Sequence, residues 1–241
     1  MRLSQTARRK AVAVVFDGDD TLWSTEGLYD EARANARSIV AAAGLNPTEW
    51  ERLERLIDVA NVKRFGYSRE RFPTSCVEAY RELRRLSGQE PDGVIEQRIK
   101  AAAETVFECD PPVFEGTRNA LETLRSRGFR LALLTKGDRD VQSRRIERSG
   151  LRPFFDVIEI VADKTPEVFA RVLASLGVEP ASAWMVGNSV RSDVFPALTA
   201  GLRPIWIDAH VWEHERDHEK LNDDRVIVAA SLSDIAGIIA P

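Results

Sequence analysis

Three carboxylates, Asp17, Asp19 and Asp20, follow directly on the apolar run Ala11 to Phe16 (AVAVVF). A run of that length and composition reads as a fully buried strand. Carboxylates at the end of such a strand are expensive to bury unless they are paired or bound to a metal. A magnesium site with an aspartate nucleophile is one arrangement that satisfies them, because carboxylates suit a hard cation and the cation keeps Asp17 ionised and nucleophilic. An acidic turn that caps the following helix is another. Taken alone, the pattern leaves both open.

Further polar residues stand at the ends of other apolar runs. Thr135 closes RLALLT (Arg130 to Thr135), Lys164 opens KTPEVF after the strand-like DVIEIV, and AWMVG (Ala183 to Gly187) leads into NSVRSD. Thr165, Pro166 and Glu167 read as a helix start, with a hydroxyl cap, a proline in the first turn and an acid favoured by the helix dipole. Arg203 to Asp208 and Arg225 to Ala230 are two more strand candidates, the last at an edge, and Gly128, Gly150, Gly177 and Gly201 fall where the intervening helices should stop. Strands alternating with helices predict a doubly wound parallel sheet of the α/β class, with its chemistry at the carboxyl ends of the strands.

The DxDxT run Asp17 to Thr21, followed by Leu22, resembles the first signature of the haloacid dehalogenase-like hydrolase superfamily, and the later strand ends resemble its other three signatures in order. The resemblance covers about residues 8 to 23 and 113 to 208. It implies a Rossmann-like core and a phosphatase whose Asp17 attacks phosphorus to form an aspartyl phosphate. Asp19 would protonate the leaving oxygen and later deprotonate water, a role that requires a raised pKa in the first step. Thr135, Lys136 and Lys164 would hold the phosphoryl group. Magnesium would be bound by Asp17, the Asp19 backbone carbonyl, Asp193 and Asn188. Three positions depart from the family pattern: Asp20 stands where Gly is usual, Lys136 where Asn is common, and Asn188 where the first acid of the fourth signature is expected.

Residues 24–112 break the alternating rhythm. Apolar residues recur at helical spacing over Glu26–Ala43, Thr48–Val62, Ser75–Leu86 and Val94–Phe107 with no comparable strand. The predicted division is a catalytic core of residues 1–23 and 113–241 with a helical cap domain of residues 24–112, which in relatives of this architecture covers the site and selects the substrate. The segment KRFGYSRERF between two cap helices carries Arg64 and Tyr67 as candidates for reading the leaving group; the alternative is a surface turn.

Composition bounds the partners. The chain has 241 residues, a formal net charge of −4 and 30% charged residues of mixed sign, so nothing favours nucleic acid or an anionic membrane. Cys76 and Cys109 form no metal-like pair and read as packing residues of a cytoplasmic protein. The basic start MRLSQTARRK precedes an apolar run too short for a signal peptide or a membrane span. The expected partner is a small phosphorylated metabolite, such as a sugar phosphate or nucleotide, and the expected assembly a monomer or homodimer. His210, His214 and His218 would share one face of a helix, fit for a transition metal or, more plainly, for solvent or an oligomer contact. Rival activities on the same fold are a 2-haloacid dehalogenase, against which Asp19 argues, and a phosphomutase. A non-enzymatic binding protein is disfavoured by the joint presence of Asp17, Asp19, Thr135, Lys164 and Asp193.

Overall fold

A computed structural model describes residues 12–208 and 223–239. The basic N-terminus and His210, His214 and His218 therefore lie outside the described residues. Six strands form one parallel sheet: β1 (Ala13–Phe16), β2 (Arg130–Lys136), β3 (Val157–Val161), β4 (Ala183–Gly187), β5 (Arg203–Ile207) and β6 (Ile227–Ala229), in the order β3-β2-β1-β4-β5-β6. This is the predicted doubly wound α/β sheet. β1 sits at its centre, with Val15 opposite Ala132 on one side and Met185 on the other. The strand order reverses at β1, so the crevice beyond its carboxyl end is where this topology leaves room for a ligand.

Alternation along the strands builds two cores. Val14, Phe16, Leu131, Leu133 and Ile205 face one way, against α5 (Thr117–Ser126), α6 (Arg139–Ser149) and α9 (Leu232–Ile238). Ala13, Val15, Ala132, Leu134 and Met185 face the other, under α7 (Pro166–Leu176) and α8 (Phe195–Thr199). β6 is three residues long and lies at the edge, as expected for a strand with one neighbour.

Between Trp23 and Val113 the chain makes α1 (Glu26–Ala42), α2 (Pro47–Phe65), α3 (Arg71–Leu86) and α4 (Gly93–Glu104), packed around their own cluster of Trp50, Phe72, Tyr80 and Ile99. α3 starts at Arg71 rather than Ser75, because Pro73 is tolerated in a first turn where no intrahelical donor is needed. α4 stops at Glu104 and tightens into a 3₁₀ turn over Thr105–Phe107. Cys109, expected in packing, is exposed, whereas Cys76 is buried. The two strands of chain that join the helices to the sheet pair with each other: Trp23 bridges Val113, and the Ser24 amide donates to the Pro112 carbonyl at 2.9 Å. No helix among the described residues is long and apolar enough to cross a membrane.

Candidate active site

The ends of four neighbouring strands bring the expected residues together. Asp17 follows β1, its amide donating to the Val186 carbonyl at 2.9 Å. Thr135 and Lys136 end β2, Lys164 follows β3, and Asn188 follows β4. A π turn over Val190–Val194, which the sequence pattern did not reveal, then carries Asp193 back toward the strand ends. Gly187 permits this return: a Cβ there would lie 2.3 Å from Asp193 Oδ2. Gly18 is constrained in the same way, since a Cβ would lie 2.7 Å from the Trp23 ring and 3.2 Å from the Thr135 hydroxyl.

Lys164 is the centre of the charge. Its Nζ donates to Asp17 Oδ1 at 2.5 Å and to Asp193 Oδ1 at 2.6 Å, and all three residues are buried. Burial disfavours the ammonium, but the two carboxylates outweigh it and hold Lys164 above the usual lysine range. Asp17 is pushed up to about 7, chiefly by burial, which Lys164 opposes and Asp193 reinforces. Two carboxylates against one ammonium leave an excess of one negative charge in a buried place, and a bound cation would relieve it. The donors fit a hard ion: carboxylate oxygens of Asp17 and Asp193, the Asn188 amide oxygen and the Asp19 carbonyl. Among the described residues no three His, Cys, Asp or Glu side chains gather to hold an ion on their own, so neutral oxygens must complete the set. Asn188 Oδ1 already accepts from the Thr21 hydroxyl at 3.2 Å, and its carbonyl accepts from Trp206 Nε1 at 2.9 Å, which fixes its orientation.

The capping reading of the acidic run holds for Asp20. Asp20 has φ 58°, alone among the described non-glycine residues in the left-handed region, where aspartate costs less than most. Its carboxylate accepts from the Thr25 amide at 2.7 Å, the Thr25 hydroxyl at 2.5 Å and the Glu26 amide at 3.0 Å, so it caps α1. At the start of α7 the expected hydroxyl cap is absent: the Thr165 side chain makes no capping hydrogen bond.

The helices supply the other wall of a cavity of about 140 Å³, through Glu26, Tyr29, Arg33, Asp58, Tyr67 and Arg71. Lys136 links the two sides, donating to Ser192 Oγ at 2.6 Å with its Nζ 3.7 Å from the centre of the Tyr67 ring. Arg64 does not reach the cavity. It is exposed, pairs with Glu78 at 2.9 Å and stacks on Phe65, because α2 turns it outward one residue before the helix ends. Arg71, two turns of chain later, takes the inward place and pairs with buried Asp58. Arg33 pairs with the fully buried Glu54 at 2.9 Å. Missed as well were Gln142 and Arg145 on α6, which contact Asp19 and are buried; their signal was two polar residues three apart on one helix face.

This constellation at the carboxyl ends of a doubly wound sheet defines a hydrolase core, and comparison with known proteins agrees. The family model for haloacid dehalogenase-like hydrolases matches residues 12–201, and the chain belongs to that family. It is similar to a glyceraldehyde 3-phosphate phosphatase of Methanothermobacter thermautotrophicus, 29% identical over 233 residues that span 94% of this chain and 99% of the relative. It is also similar to an N-acylneuraminate-9-phosphatase of Rattus norvegicus, 30% identical with 81% and 82% covered. A solved haloacid dehalogenase-like hydrolase from Xanthomonas campestris superposes with a TM-score of 0.79 at 28% identity, covering 98% of this chain and 93% of the other.

Proposed function

We propose that the protein is a magnesium-dependent phosphatase that hydrolyses a small phosphate monoester through an aspartyl phosphate on Asp17. The observation that carries this reading is the buried Asp17–Lys164–Asp193 set beside Thr135, whose buried hydroxyl has no hydrogen-bond partner. A transferring phosphoryl group would satisfy that hydroxyl, and Lys164 would neutralise its oxygens. Asp17 Oδ forms a bond to phosphorus as the bond to the leaving oxygen breaks, with Asp19 giving its proton to that oxygen. Water then attacks phosphorus, the aspartyl bond breaks, and the water's proton returns to Asp19, leaving an alcohol and inorganic phosphate. When bound, magnesium supplies positive charge for the phosphoryl oxygens and keeps Asp17 ionised. Asp17, Asp193, Asn188 and the Asp19 carbonyl would hold it.

The names of the relatives support a phosphorylated small metabolite as substrate, and the small cavity accords with that. A cytoplasmic location is supported by two cysteines without a disulfide. The test is a panel of sugar, triose and nucleotide monophosphates assayed for phosphate release with magnesium and with chelator. Magnesium-dependent release from some members is expected; a folded, magnesium-loaded protein that releases phosphate from none, 4-nitrophenyl phosphate included, overturns the reading.

A further inference from the structure

Asp19 is held by three donors. Trp23 Nε1 donates to its Oδ1 at 2.6 Å, and Gln142 Nε2 and Arg145 Nη1 both donate to its Oδ2 at 2.8 Å. The three differ in what else they hold. Trp23 is fully buried where the chain leaves the sheet for the helices. Gln142 spends its second amide proton on the Lys136 carbonyl at 3.0 Å, which fixes the plane of its amide against the end of β2. Arg145 is 4% exposed, its Nη2 reaches the Val106 carbonyl at 3.5 Å, and its positive charge acts on the nearby Tyr29 phenol. Val106 lies in the last turn of the helical segment and Tyr29 in its first helix. One buried guanidinium thus bonds the loop of the first signature and the last turn of the cap, and its charge reaches Tyr29 in the cap's first helix.

A charge is rarely buried on a helix face without a defined partner. Here the partner is the carboxylate that the proposed reaction needs for proton transfer. An acid–base group is effective only within hydrogen-bond reach of the atom it serves, and Asp19 is a short side chain whose two torsions are set by what its oxygens bind. We propose that Arg145, backed by Gln142, is the positioning residue for Asp19, and that through Tyr29 and Val106 it makes the placement of Asp19 depend on the seating of the helical cap. The proposal rests on the reading of Asp19 as the acid–base group given above.

Leaving-group dependence tests it, because an alkoxide needs a proton as it departs and 4-nitrophenolate does not. Asp19→Asn, Arg145→Met, Arg145→Lys and Tyr29→Phe are assayed on glycerol 2-phosphate and on 4-nitrophenyl phosphate at saturating magnesium, with thermal unfolding alongside. Arg145→Met is expected to lower kcat on the alkyl ester by about 10- to 100-fold and on the aryl ester by no more than about 3-fold, the size of a misplaced catalytic group. Arg145→Lys should recover part of that selective loss, and Tyr29→Phe should move the ratio of the two rates by about 2- to 3-fold in the same direction. Should Arg145→Met fail to fold, the Lys and Phe variants carry the comparison. A selective loss in Asp19→Asn with equal losses on both esters in the Arg145 and Tyr29 variants overturns the positioning role. An unselective Asp19→Asn overturns the acid–base reading beneath it.

Discussion

Two buried sets of charge face each other across one cavity, and they are balanced differently. On the sheet side, Lys164 stands between Asp17 and Asp193, with one negative charge left over. On the helical side the buried charges come in matched pairs, Arg33 with Glu54 and Arg71 with Asp58. A matched pair carries no net charge and asks for no outside ion, whereas an unmatched set favours the arrival of a cation or a proton. On the proposed mechanism, the contrast separates charge that would do chemistry from charge that shapes the wall around it. Burial alone does not distinguish them, since every one of these side chains is buried.

The strongest way to break the contrast is to remove the nucleophile. Asp17→Asn is isosteric and should reduce phosphate release by about 1,000-fold or more while the protein stays folded. Activity within tenfold of the wild type would mean that the unmatched charge is not the reaction centre. Asp193→Ala comes next: loss of a carboxylate from a hard-cation site should raise the magnesium concentration for half-maximal rate by about 10-fold or more, and Asn188→Asp should lower it. Magnesium titrations of initial rate that coincide with the wild type for both variants would remove these residues from the metal site.

On the helical side the same kind of substitution should act on stability. Asp58→Ala leaves Arg71 buried without its carboxylate and should cost about 3–5 kcal/mol in denaturant unfolding, whereas Asp58→Ala combined with Arg71→Met should recover most of that. A double variant no more stable than the single one would show that the pair is not self-contained.

The smallest effect compares one carboxyl from each side. Asp17 and Glu26 are both pushed up to about 7, chiefly by burial. A carboxyl whose folded-state pKa is raised binds a proton that the unfolded chain has already lost, so its contribution favours folding at low pH and falls away as pH rises from about 4 to about 7. With chelator present, unfolding temperature should therefore drift downward over that window. Glu26→Gln and Asp17→Asn should each flatten the drift, by roughly 2–4 °C if each carboxyl contributes about 1 kcal/mol. Asp17→Asn alone should also blunt stabilisation by magnesium.

Much of the sheet side was legible because each candidate site residue follows an apolar run that reads as a strand, so order along the chain translated directly into neighbourhood at the strand ends. Asp17, Thr135, Lys164 and Asp193 were found that way. The helical side was less legible. Periodicity located the four helices but not their rotation relative to the cavity, which is why Arg64 was chosen and Arg71 was not: seven residues and a turn separate them, and the phase is set by packing of α2 on α3. The partners of Asp19 were hidden for a related reason, since Gln142 and Arg145 lie more than 120 residues away on a helix that reads as an ordinary charged one. Asp20 was half legible: capping was an open alternative, but its left-handed φ and the reach of its carboxylate to Thr25 and Glu26 depend on how the turn closes.

The pairing of Trp23 with Val113 has a meaning for the history of such a chain. Everything between them is, to the sheet, a single excursion that starts and finishes at the same spot. The entropy of closing a flexible excursion grows only with the logarithm of its length, about 0.6 kcal/mol for each doubling, so a longer, shorter or wholly different sequence could be spliced between these two residues without disturbing strand register. Arg145, Asp20, Lys136 and Arg144 are tied to the excursion more closely, because they reach into it from the sheet side. A transplanted replacement would have to offer them new partners, and those contacts mark where the graft would take or fail.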